Sequence, residues 1–111
     1  MKTIRFFPED MDLRTQYKLI KSPDSQKMSS AEDSVLKVKS WILFTDEDFT
    51  GDEREVLVIE TEDGEIFATV SDVFKREFLG ITNFFGDDVG DLRIVGGKSR
   101  NGRNFITCSV F

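Results

Sequence analysis

The chain has 111 residues, one cysteine, no histidine, and 21 acids against 15 bases, for a formal net charge of −6. That length fits one domain, the lone cysteine excludes an internal disulfide or a cysteine metal cage, and the missing histidine excludes histidine-activated nucleophiles and the usual zinc sites. A 39% hydrophobic content with 11 Phe supplies a core, while no apolar run approaches the roughly 18–20 residues that cross a bilayer. A catalytic reading, such as a carboxylate-based metal nuclease, would have to rest on carboxylates, Lys or Tyr alone; no enzyme activity, cofactor or membrane contact is expected.

The opening stretch "MKTIRFFPEDMDLR" turns acidic by Glu9 and lacks a secretory apolar segment. A soluble, intracellular protein is expected. After an extended start, Asp12 suits a helix N-cap, and Leu13, Gln16, Tyr17 and Ile20 fall on one helical face. Arg14, Lys18 and Lys21 make a basic stripe at the same spacing, a pattern more typical of a solvated helix face. "KSPDSQKMSSAEDS" (residues 21–34), rich in Ser, Asp and Pro, reads as a surface loop.

The period then changes to two. "VLKVKSWILF" (residues 35–44) alternates Leu36, Val38, Ile42 and Phe44 with Lys37, Lys39, Trp41 and Leu43. "EVLVIET" (55–61) is apolar on both faces, "EDG" supplies a turn at Gly64, and "EIFATV" (65–70) completes a hairpin. "SDVFKREFLGI" returns to helical spacing, with Ser71 as cap, Phe74, Phe78 and Ile81 as the apolar stripe, and Gly80 as a stop. "LRIV" (92–95) and "RNFITCSVF" (103–111) are the last two strands, joined through "GGKSRNG".

The order β-β-β-α-β-β, behind a helical lead-in over residues 1–34, is that of a mainly β, five-stranded OB-type Greek-key barrel over 35–111. Its helix lies between strands three and four, and the whole is one domain. With the more apolar set of each strand turned inward, the core takes Leu36, Val38, Ile42, Phe44, Ile66, Ala68, Val70, Leu92, Ile94, Ile106, Cys108 and Val110. Left outside are Lys37, Lys39, Trp41, Phe67, Thr69, Arg93, Arg103, Phe105 and Thr107. Cations neutralise phosphates and flat rings stack on bases, so that face suits a single nucleic-acid strand. Trp41, Phe67 and Phe105 fit packing as readily as stacking, most simply if the N-terminal helix covers them.

Charge is unevenly placed. Residues 24–91 carry 18 acids and six bases, whereas residues 92–111 carry four bases and no acid. Lys98, Ser99, Arg100 and Arg103 stand among Gly96, Gly97 and Gly102, which would let backbone N–H groups approach an anion. A solubilising hairpin tip is the plainer reading. The acidic stretch "TDEDFTGDERE" (45–55) begins like a calcium loop, but Leu57 stands where such a loop needs a bidentate Glu. A solvated loop fits it better.

"YKLIKSP", "WILFTDED", "VLVIETEDGEIFATVSDVFKREF" and "GGKSRNGRNFITC" together resemble small single-stranded-DNA-binding proteins of bacteriophages of Gram-positive bacteria. That resemblance covers most of the chain from Tyr17 onward. It implies an OB-type fold and non-sequence-specific cover of single strands in phage DNA replication or recombination, in the cytoplasm of the bacterial host. Lys98, Ser99, Arg100 and Arg103 fall on the family's basic hairpin, and Trp41 on its first strand. Better-known bacterial single-strand-binding proteins carry a long acidic tail, whereas this sequence stops inside its last strand at Phe111. The expected partners are single-stranded DNA, replication or recombination proteins met through the acidic middle, and, in a homo-oligomer, further copies of the chain. The alternative is an acidic interaction or inhibitor module that binds a basic host protein.

Overall fold

A computed structural model describes residues 1–111. In chain order come β1 (Lys2–Phe7), α1 (Leu13–Ile20), β2 (Gln26–Lys27), a 3₁₀ turn (Met28–Ala31), β3 (Val35–Glu47), β4 (Glu53–Thr61), β5 (Ile66–Thr69), α2 (Asp72–Phe85), β6 (Asp91–Lys98) and β7 (Asn104–Val110). The protein is mainly β, and neither helix is long and apolar enough to cross a membrane.

One sheet runs β2-β5-β4-β3-β6-β7, with β1 added to β3. The long β3 organises it. Residues 38–47 pair with β4 on one edge, while the other edge serves β6 over Val35–Lys37 and then β1 over Trp41–Thr45. Two strands sharing one edge in succession curl the sheet into a half-barrel. The closed five-stranded barrel expected from the sequence does not form, because β5 and β7 do not pair. β5 has four residues, and part of its outer edge is taken by β2 in parallel register, Gln26 and Lys27 opposite Phe67 and Ala68. The segment expected as a surface loop thus enters the seam, burying Met28 and Ala31 in the main core. Short polar stretches hide such insertions, since only two of 14 residues carry the anchoring side chains.

A β-bulge decides which side chains are inside. The β3–β4 register slips between Val38 and Ser40, and one extra residue moves every later side chain to the other face. Leu36 and Val38 therefore share the main core with Trp41 and Leu43, alongside Leu57, Ile59 and Phe67. Ile42 and Phe44, expected in that core, join Met11, Leu19, Val56 and Val58 in a second cluster beneath α1, with Ile66 and Ala68 packed against it. Val70 and Val110, also expected inside, are exposed. The four consecutive apolar residues "WILF" carry no alternation, so nothing local marks the phase change.

Both helices begin as expected. Asp12 accepts from the Thr15 N–H at 2.7 Å and Ser71 accepts from the Phe74 N–H at 3.2 Å. Their other details differ. α1 buries Gln16 and Leu19 while Leu13 and Tyr17 stay 81% and 58% exposed, because a helix lying over a sheet already filled by Ile42 and Phe44 needs only a narrow stripe. α2 packs Phe74 and Phe78 into the main core, runs through Gly80, and stops at Gly86, where φ is +90°.

Candidate nucleic-acid interface

Trp41 and Phe67 are 0% and 3% exposed. Neither can stack on a base. The Trp41 indole N–H donates to the Asp87 carbonyl at 2.8 Å, Phe78 meets its ring edge-on at 5.0 Å, and the Arg5 guanidinium lies over it at 5.6 Å while pairing with Asp87. This ring is an anchor that ties β1, β3 and the loop after α2 together. Phe67 belongs to the same core. The bulge is the cause in the first case, and the strand register in the second: Phe67 stands opposite Ile59, another core residue.

The β6–β7 hairpin behaves differently. Its pairing is regular from Leu92↔Val110 to Lys98↔Asn104, so Arg93, Val95, Gly97, Phe105, Thr107 and Ser109 share the outer face. At the tip, the Ser99 N–H donates to the Arg103 carbonyl and the Gly102 N–H to the Ser99 carbonyl, each at 2.9 Å, and the Arg103 N–H reaches Ser99 Oγ at 3.3 Å. Ser99 therefore shapes the turn. Gly102 takes φ +76°, which a side chain would strain.

Lys98, Arg100 and Arg103 are exposed. The only ion pairs in the molecule are Arg5–Asp87 and Lys75–Asp72, so none of the three is neutralised from within. Phe105, 36% exposed, supplies the ring beside them. At the other end of the hairpin, Arg93 lies 5.4 Å from the ring centre of exposed Phe111. Phe111 closes the last strand expected from the sequence, yet the expected outer-face set omits it; its signal is the alternation Phe105, Thr107, Ser109, Phe111 on one face.

Gly96 and Gly97 do not serve as an anion cradle. A side chain on Gly96 would overlap the Glu32 carboxylate, and one on Gly97 would come within 2.7 Å of the Phe105 ring. They admit neighbours, and Phe105 rests over a bare backbone. Lys37 and Lys39 are exposed but lie apart from the tip. Lys37 lines a pocket shared with Asp63 and Glu65, its carbonyl accepts from the Glu62 N–H at 2.9 Å, and its cross-strand neighbour is Asp91. That acidic setting weakens Lys37 as a phosphate contact.

The register also separates the charges. β6 starts opposite Lys37 and passes Val35 on its way to the tip, so it leaves β3 at the end away from the β3–β4 loop. In that loop the Asp48 carboxylate accepts from the Thr50 hydroxyl at 2.6 Å, the Thr50 N–H at 2.9 Å and the Asp52 N–H at 3.0 Å. These bonds, that from the Thr50 side chain above all, hold its pKa below the ordinary value. Asp48 is occupied in holding its own loop. Cys108 sits in the main core, and burial pushes its thiol up to about 12.

No protein-family model, curated protein or solved structure matches this chain.

Proposed function

We propose that the protein is a non-enzymatic single-stranded DNA-binding protein working through the β6–β7 hairpin, on an OB-type strand order that is opened at one seam. The reading rests on one observation: Lys98, Arg100 and Arg103 are exposed, unpaired and beside an accessible ring, in a chain whose acids outnumber its bases. Unpaired cations gain most from releasing the counterions of a phosphate backbone, and a ring whose neighbour is glycine keeps room for a base. A flexible strand can follow both; a duplex keeps its bases stacked. Cover of single strands in phage replication or recombination is the biological role that suits such chemistry.

Fluorescence anisotropy with labelled oligo-dT across a salt series tests the reading. Binding should be tight at low salt, fall steeply as salt rises, and depend little on base order. A second reading draws on Phe49, fully exposed within the acidic β3–β4 loop: contact with a basic partner protein at that end. Failure of every oligonucleotide to bind at low salt would leave the second reading standing and remove the first.

A further inference from the structure

The open seam between β5 and β7 forms a cleft of about 730 Å³, within the ~300–1,000 Å³ typical of sites that enclose small molecules. Val70 and Ile106 supply apolar wall, Met28 lies at its base, Asn104 brings a free amide to its margin, and Lys27 and Glu32 add one charge of each sign to the lining. The backbone adds to this. Ser99 and Arg103 form a hydrogen-bonded pair, as do Asp91 and Phe111, and such pairs alternate strictly along an antiparallel ladder. With no slip in the β6–β7 register, the even-numbered Asn104 and Ile106 turn their N–H and C=O groups to the edge where β7 has no neighbouring strand. Apolar walls with a few directed donors and acceptors suit a flat heteroaromatic ring that is polar only at its rim. The cleft begins at the residue after Arg103, so a strand whose phosphates lie on the basic tip passes its mouth.

We infer that this cleft takes one unstacked nucleobase of the bound strand, held against Val70 and Ile106 with its edge read by Asn104 and the free β7 backbone. The inference rests on the single-strand reading above and goes beyond it, because it locates the preference for single strands over duplex. Paired bases keep their rims engaged and their faces stacked, so a duplex can use only the cationic tip.

The test compares wild type, Val70→Trp, which fills the cleft from its exposed β5 side, and Asn104→Ala. Each binds labelled oligo-dT and a duplex of equal length at low salt. Wild type should prefer the single strand, and each variant should lose about tenfold of that affinity while duplex binding and the salt slope stay as they were. Retained duplex binding shows that the variants are folded. An oligonucleotide carrying 2-aminopurine should change its emission on binding wild type and not on binding Val70→Trp. If both variants keep the wild-type preference and the 2-aminopurine response, the cleft takes no base, although the hairpin reading survives. If wild type binds no oligonucleotide at all, both fall.

Discussion

The two ends of β3 belong to regions built on opposite plans. Around its C-terminal half the sheet is covered on both sides, by α1 over Ile42 and Phe44 and by α2 over Trp41 and Leu43. Around its N-terminal end the β6–β7 hairpin buries Leu92, Ile94 and Cys108 on one face and leaves Arg93, Phe105 and the cationic tip in water on the other. The same residue types, an aromatic next to cations, thus do different jobs. Trp41 under Arg5 holds the fold; Phe105 beside Arg103 is available to a ligand. What separates them is whether a second layer covers the sheet.

The sharpest break of that comparison is Trp41→Ala. Removing the anchor should cost about 3–5 kcal/mol, the range for large buried aromatics, read from urea unfolding followed by far-UV circular dichroism. A wild-type midpoint with weakened DNA binding would move Trp41 back to the surface group. On the open side, Arg100→Ala with Arg103→Ala should lower oligo-dT affinity about tenfold at low salt. It should also flatten the log–log salt slope by about 1.4, at ~0.7 for each single-strand phosphate that is no longer neutralised. Phe105→Ala should weaken binding by about 1 kcal/mol, the low end for one stacked base, because the ring is only 36% exposed. Its salt slope should not move, and a moved slope would reassign Phe105 to shaping the tip.

Two smaller effects concern the covered side. The Cys108 thiol, raised to about 12 by burial, should resist a thiol reagent at pH 8 in the native protein and react once urea unfolds it. Fast native reaction would show that the main core opens at β7. Asp12 ionises below its ordinary value because Thr15 donates to it through its side chain and backbone. With its folded pKa depressed, its contribution is complete above the unfolded value and is lost as pH falls through the folded one. Asp12→Ala should therefore lower the urea midpoint slightly at pH 7 and have less effect at pH 3. An equal effect at both values would make the cap's charge irrelevant.

Much of this was legible in the chain itself. Asp12 and Ser71 cap the helices because a short polar side chain followed by a helical stripe is a local pattern, and Gly64 turns the β4–β5 hairpin for the same reason. The basic tip was equally plain, since Lys98, Arg100 and Arg103 have no acid after Asp91 to neutralise them. Gly80 misled because a helix tolerates one glycine when Phe78 and Ile81 on either side of it are buried.

What sequence alone determined was the kind of both helices and of the longer strands, and the excess of positive charge at one hairpin, for these depend on neighbours a few residues away. Only the tertiary structure decided which rings meet water. The extra residue between Val38 and Ser40, the strand drawn from a polar loop to lie beside β5, and the seam left open against β7 all arise from contacts between distant segments. A one-residue slip in pairing exchanges the two faces of a strand, and where both faces are apolar no pattern within the strand can announce it.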